Sequence, residues 1–152
     1  MSGGHAEYMV AYADATMLLP DGLDYEQAAP LFCAGYTVWS GLRWVEPQPN
    51  ESVAVVGIGG LGHLAVQYAK TAGFRTIAIS RSPDKDKLIR QLGADEIVRD
   101  GKGLAKAGGA DVVLGTSNSV DAMVDSIAGL RPDGWLVLMG FENNRYLCIP
   151  AI

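Results

Sequence analysis

A chain of 152 residues that is 49% hydrophobic and 19% charged has the size and composition of one globular domain, large enough to bury roughly 70% of the surface its unfolded form exposes. Its formal net charge of −5 argues against nucleic acid as a partner, so a phosphorylated ligand would have to be held by a few local cations and backbone N–H groups. Cys33 and Cys148 form no CxxC pair, the first residues carry no basic and apolar leader, and no run approaches the ~18 apolar residues of a membrane span, so the chain is expected to be cytoplasmic with no membrane partner.

Residues 1–20 read as irregular or antiparallel strand, and Pro20-Asp21-Gly22 as a turn. Asp24, with Gln27 three residues on, is expected to form a capping box for a helix through Ala29. A second helix, residues 34–44, stops before Pro47 and Pro49. From Val53 to Met139 the pattern changes to alternating strands and helices, which predicts an α/β fold with a doubly wound parallel sheet and helices on both faces. The first strand is the apolar run 52–56. Leu61, Leu64, Ala65, Tyr68, Ala69 and Ala72 then line one face of a helix, and Gly73 stands where its C-terminus wants a left-handed residue. Residues 76–80 form the second strand; Pro83 opens a helix running to about Leu92, and Gly93 closes it. The remaining strands are 96–98, 111–115 and 135–139. Residues 101–109 read as a loop with at most one helical turn, and 120–130 as a helix closed by the turn Arg131-Pro132-Asp133-Gly134.

The first strand runs directly into Gly57, Ile58, Gly59, Gly60, Leu61 and Gly62. A lone GxGxxG is weak in a chain with 19 glycines, but here a strand precedes it and a helix and second strand follow. Gly57 allows a tight turn, Gly59 leaves no side chain between backbone and a pyrophosphate, and Gly62 lets helix and strand pack closely. The helix N-terminus adds free N–H groups and positive dipole. These are the features of a dinucleotide-binding domain of the Rossmann type. NAD-binding domains usually end their second strand in Asp or Glu, which accepts from the adenosine ribose. Ser80 stands there instead, followed by Arg81, Ser82 and Lys85, which offer donors and positive charge to a 2′-phosphate. NADP (NADPH) is therefore the expected cofactor. Arg81 and Lys85 also read as ordinary solvated loop charges.

Taken with Gly4–Tyr8 and Met9-Val10, Leu31-Phe32-Cys33-Ala34-Gly35-Tyr36-Thr37, the Gly-Gly-Leu-Gly-His core within 56–67, Ile79-Ser80-Arg81-Ser82-Pro83, Leu92-Gly93-Ala94-Asp95 and Leu138-Met139-Gly140, nearly the whole chain resembles the zinc-containing medium-chain dehydrogenases, in their cinnamyl-alcohol-dehydrogenase-like branch. The resemblance implies hydride transfer between NADP(H) and a small alcohol or aldehyde. It implies Cys33 as a ligand of a catalytic zinc, where a thiolate stabilises the metal. By residue type alone, Cys33 beside Leu31 and Phe32 reads as a buried small hydrophobe. The resemblance further places Thr37 near the nicotinamide, and Thr116, Met139 and Gly140 among the cofactor contacts at strand ends.

In that family the other zinc ligands and the proton relay come from a preceding catalytic domain, whereas this chain has only His5 and His63 and no structural-zinc cysteine cluster. Residues 1–22 are thus expected to be a remnant of such a domain and 23–152 the dinucleotide-binding domain, lacking its last strand. The chain reads as a fragment, not expected to hold zinc or oxidise alcohols by itself. Its unfinished sheet edge is a route to self-association unless residues 146–152 fold back over it. Two alternatives share the fold: a nucleotide-binding module without catalysis, and a zinc-free quinone-reductase-like enzyme, which the Cys33 motif disfavours. A short-chain dehydrogenase lacks its YxxxK pair here, and a methyltransferase would want an acid at Ser80.

Overall fold

In the computed structural model, which describes residues 6–140 with Tyr146 and Cys148, the apolar run of the first strand becomes β1 (Ser52–Val56), buried at every residue. It is followed by α3 (Gly60–Thr71), β2 (Arg75–Ile79), α4 (Asp86–Gln91), β3 (Glu96–Val98), α5 (Gly101–Lys106), β4 (Ala110–Gly115), α6 (Val120–Ser126) and β5 (Leu130–Leu138), and preceded by α1 (Tyr25–Ala28) and α2 (Ala34–Trp44). The strands make one five-stranded sheet of order β3-β2-β1-β4-β5, parallel throughout. This is the Rossmann-like α/β architecture expected from the alternation.

Strand residues alternate between two cores, as the pleat requires. Val53 and Val55 pack with Val38 and Leu42 of α2, Ala65, Val66 and Ala69 of α3 and Ile89 of α4. Ala54 and Val56 face the other way, with Ile77, Val113 and Leu104 of α5. Gly73 (φ +90°) and Gly93 (φ +104°) end α3 and α4 in the left-handed region.

Four expectations are corrected. The glycine-rich segment 101–109 carries a six-residue helix, α5. Asp100 caps it by accepting from Gly103 N at 2.6 Å, and fully buried Leu104 pins it to the sheet; a cap and a buried anchor outweigh low glycine propensity. The turn at 131–134 lies within β5 as a bulge. Ala110 opposes Leu130 while Val112 already opposes Trp135, and Asp133 takes φ +62°. The helix expected through Leu130 stops at Ser126 and continues as a 3₁₀ turn over Ile127–Gly129. Finally, Asp24 is the N-cap of α1 but its side chain makes no capping bond, so the capping box does not form; α1 is one turn, continued as a 3₁₀ turn over Ala29–Phe32. Within 6–20 the only regular element is the 3₁₀ turn Ala13–Ala15. His5 and most of the segment 146–152 lie outside the described residues, so the expected fold-back over β5 does too.

The bulge is held by one carboxylate. Asp111 Oδ2 accepts from Ser52 N (2.8 Å), Ser52 Oγ (3.0 Å) and Arg131 Nη1 (2.8 Å), joining β1, β4 and β5. Burial pushes the Asp111 carboxyl up, but the Ser52 and Arg131 donors outweigh it and hold it below the ordinary 3.8. A depressed folded pKa contributes stability that is present above the unfolded value and lost as pH falls through the folded one. Asp111→Ala removes this acceptor from Ser52 N and Arg131 Nη1, while Ser52 Oγ keeps Gly109 O at 3.3 Å, and is expected to cost about 1–3 kcal/mol at neutral pH. The variant's urea midpoint is also expected to fall less steeply than wild type below the ordinary value of 3.8. Equal acid limbs in the two proteins would show that Asp111 carries no such linkage.

Helix α3 approaches β1 so closely that a Cβ on Gly62 would run into the Gly57 carbonyl oxygen and stand 2.9 Å from Thr116 Oγ1. A Cβ on Gly60 would meet nothing within 4 Å. Gly62→Ala is therefore expected to destabilise by about 1–3 kcal/mol in chemical denaturation. Gly60→Ala is expected to stay within about 0.5 kcal/mol of wild type or to gain stability.

Candidate functional site

The sheet order reverses between β2-β1 and β4, and α3 and α6 depart to opposite faces, opening a crevice at the carboxyl ends of the strands. Ladder bonds continue one residue beyond the strands. Gly57 N donates to Ile79 O, Thr116 N to Val56 O, Ser80 N to Val98 O, and both Met139 N and Gly140 N to Gly115 O. The residues that follow β1, β2, β4 and β5 are thereby tied into the backbone ladder.

After Val56, Gly57 turns the chain with φ +84°, and α3 starts at Gly60. Gly59 is the N-cap and no side chain caps the helix, so the first N–H groups of α3, which begins next to the crevice, have no side-chain acceptor from the cap. A Cβ on Gly59 would meet nothing within 4 Å, which leaves that space to a ligand. The cradle thus fits a diphosphate. The Thr116 hydroxyl is shared between Val56 O (2.9 Å) and Gly57 O (2.7 Å) and fixes the turn from the β4 side.

A cleft of about 460 Å³ runs from this turn across the end of β2. Gly57 and Ile58 form one wall, and Ser80, Arg81, Ser82 and Lys85 another. Arg99 and Asp100 close it beyond β3, while Ser117, Asp121 and Asp125 line the β4–α6 side. Ser80 is buried, and its Oγ accepts from Ser82 N at 3.4 Å. Half-buried Lys85 reaches over the cleft to donate from Nζ to Ile58 O at 3.1 Å, so it is not the free loop charge that composition allows. Arg81 is exposed. Arg99 donates from Nη1 to Ser80 O (2.9 Å) and Asp86 Oδ1 (2.9 Å), and from Nη2 to Asp86 Oδ2 (2.6 Å). The Arg99 guanidinium holds the Asp86 carboxyl below its usual range, against the upward push of burial, with Arg90 adding to the effect.

Of the residues singled out in the sequence, Gly57, Ile58, Ser80, Arg81, Ser82 and Lys85 line this cleft, with Gly59, Gly60, Leu61 and Gly62 at the adjoining start of α3. Cys33, Thr37, Thr116, Met139 and Gly140 are not among its lining residues. Cys33 is the N-cap of α2 and exposed, which overturns its reading as a buried hydrophobe; its carbonyl accepts from Thr37 N at 3.0 Å. Met139 packs on α2 at Gly41, where a Cβ would lie 3.1 Å from its Sδ, and Gly140 lies against the Ser117 carbonyl. Among the described residues no three His, Cys, Asp or Glu side chains come together to hold a metal ion. His63 instead places Nδ1 3.2 Å from Gln67 Nε2 on its own helix. No helix among the described residues is long and apolar enough to cross a membrane. Sequence reasoning missed Arg99, Asp100, Ser117, Asp121 and Asp125. The rule that ligands bind just beyond strand ends would have flagged Arg99, which directly follows β3, and Ser117, two residues beyond β4.

Known proteins agree with this geometry. The family described as zinc-binding dehydrogenase matches residues 60–150. An alcohol dehydrogenase of Aspergillus sp. (strain MF297-2) is 41% identical over 150 residues, covering 95% of this chain and 44% of that protein. A probable cinnamyl alcohol dehydrogenase of Oryza sativa subsp. japonica is 37% identical over 155 residues, covering 99% and 43%. Among solved structures, a cinnamyl alcohol dehydrogenase of Sorghum bicolor superposes with a TM-score of 0.73 at 36% identity, over 83% of this chain and 37% of its own. CAD from Helicobacter pylori complexed with NADP(H) gives 0.71 at 28% identity, over 80% and 34%. The quinone oxidoreductase of Thermus thermophilus, solved also with NADPH, gives 0.71 at 34% identity, over 82% and 42%. The chain spans less than half the length of these curated relatives. With its parallel sheet, glycine turn and cleft at the switch point, the chain belongs to the zinc-binding dehydrogenase family.

Proposed function

We propose that this chain is the NADP(H)-binding part of an oxidoreductase that moves hydride between NADP(H) and a small alcohol or aldehyde. The observation that carries the reading is the cleft itself: a glycine turn with open backbone faces a second-strand end where Ser80, Arg81 and Lys85 stand and no carboxylate does. Backbone N–H groups at the start of α3 hold the diphosphate. Ser80 donates to the ribose end, and Arg81 with Lys85 supplies charge to a 2′-phosphate. Relatives named alcohol dehydrogenases, and neighbours solved with NADP(H) or NADPH, support it. The bound nicotinamide supplies or accepts the hydride; the chain's residues bind and orient it. Thr37, Thr116, Met139 and Gly140 act from the nicotinamide side of the switch point, Thr116 by fixing the turn with its hydroxyl.

The described residues do not make up a zinc site by themselves. We assign Cys33, through the motif around it, one thiolate ligand of a zinc whose other ligands belong to the rest of the protein. Residues 1–22 are read as the end of that other domain. In the full-length protein, Cys33→Ser is expected to lose zinc, measured by atomic absorption, and alcohol turnover, while NADPH affinity stays within about threefold of wild type. Unchanged zinc content and turnover would remove Cys33 as a ligand, and a wild type that holds no zinc would favour the zinc-free, quinone-reductase-like reading.

Cofactor preference is tested on the chain itself. A hydrogen bond to a charged group contributes roughly 1.5–3 kcal/mol, and about 1.4 kcal/mol is tenfold in affinity. Arg81→Ala is therefore expected to weaken NADPH by roughly ten- to a hundredfold, less where solvent screens it, and to leave NADH nearly unchanged. Ser80→Asp is expected to do more, because its carboxylate repels the 2′-phosphate yet accepts from a ribose hydroxyl. Wild type binding NADH as tightly as NADPH in titration calorimetry, or Arg81→Ala weakening both alike, rules the assignment out.

A further inference from the structure

The second-strand end lacks a carboxylate at Ser80, but one stands close behind. Asp86 opens α4, directly after the segment that forms the cleft wall, and both its oxygens are held by Arg99. The same guanidinium nitrogen that binds Asp86 Oδ1 donates to the carbonyl of Ser80, the residue at the ribose position. Arg99 lines the cleft and Asp86 does not. Both hydrogens of Nη1 are thus committed, one to the end of β2 and one to α4, and of the pair only the guanidinium side lines the cleft.

We propose that Arg99 is a specificity-determining residue that sets NADP(H) preference by sequestering the Asp86 carboxylate. Released, that carboxylate would be an acid beside Ser80, able to accept from ribose hydroxyls and to repel a 2′-phosphate, which is the chemistry that selects NAD(H) in this architecture. Held in a bidentate pair, it is neutralised and its lone pairs are turned to the guanidinium. Arg99 therefore acts through Asp86 and supplies the phosphate little direct contact. The pair is partly exposed, with side-chain exposures of 45% for Arg99 and 32% for Asp86, so solvent and salt limit the effect to about tenfold. The inference rests on the reading that the cleft takes NADP(H).

The test is titration calorimetry of the full-length protein with NADPH and NADH at fixed low ionic strength, using wild type, Arg99→Gln, Asp86→Asn and the double variant. Wild type is expected to prefer NADPH. Arg99→Gln is expected to lose about tenfold in NADPH affinity and to hold NADH constant or tighten it up to about threefold. Removing the acid as well is expected to return NADPH affinity to within about threefold of wild type. Asp86→Asn alone, with Arg99 kept, is expected to bind NADPH as well as wild type or better. Because the double variant lacks the same ion pair as Arg99→Gln, recovery in it separates electrostatics from damage to the fold. The proposal is overturned if Arg99→Gln leaves the NADPH-to-NADH ratio unchanged in a protein that prefers NADPH. It is overturned equally if the double variant stays as weak as Arg99→Gln, which assigns Arg99 a direct phosphate contact, or if Asp86→Asn weakens NADPH as much as Arg99→Gln does. A wild type with no preference for NADPH removes the underlying cofactor reading instead.

Discussion

The close approach of α3 to the end of β1 is the contact on which the cleft depends. With no Cβ at Gly62, the first turn of the helix can rest on the Gly57 carbonyl, and the Thr116 hydroxyl can reach Val56 O and Gly57 O from the neighbouring strand. If α3 stood further out, its N-terminal N–H groups would no longer point over the strand ends. The turn would lose its tie to β4, and the cleft would widen where a diphosphate needs several donors at once. A close-packed backbone junction thus sets the geometry, and side chains decorate it.

Around that junction an acidic chain brings three cations to one cleft. Although the net charge is −5, Arg81, Lys85 and Arg99 line one side of the cleft, facing Asp121 and Asp125 on the other. Their environments differ. Arg81 is exposed, Lys85 is tethered to the glycine turn through Ile58 O, and Arg99 is tied to an acid. The same sequence neighbourhood therefore yields cations of three different availabilities, which net charge alone does not reveal. Elsewhere, ion pairs serve alignment. Lys70 pairs with Asp95, which also accepts from Thr76 N at 2.9 Å, joining α3 to the β2–β3 edge. Burial pushes the Asp95 carboxyl up, and the Lys70 and Thr76 donors bring it below its ordinary value. Such exposed pairs add little stability each but fix register.

The second half of the chain shows where reading by pattern stops. Glycine content marked 101–109 as a loop, yet Asp100 caps a helix there and Leu104 anchors it in the core. The turn residues at 131–134 were legible, but their absorption into β5 as a bulge depends on Asp111 gripping both Ser52 and Arg131. The loop carrying Ser80, Arg81 and Lys85 was legible because it follows a strand of clear pattern. Arg99 was legible only as a residue just beyond a strand end; its bonds to Asp86 and to the Ser80 carbonyl were not, because they join segments 13 and 19 positions apart.

By itself the sequence determined the five strands and the helices α2, α3, α4 and α6 between or before them, the glycine turn between β1 and α3, the left-handed helix ends at Gly73 and Gly93, and the lack of an acid at Ser80. Each of these is written in residues within a few positions of one another, where periodicity and allowed backbone angles act directly. Only the tertiary structure decided that Arg99 would bind Asp86 13 residues away, and that Thr116 would bond to carbonyls 59 and 60 positions earlier. It also decided that Cys33 would be exposed and that the glycine-rich segment would be a helix. Those outcomes follow from which strands become neighbours. Burial and hydrogen bonding between distant segments then outweigh local preference.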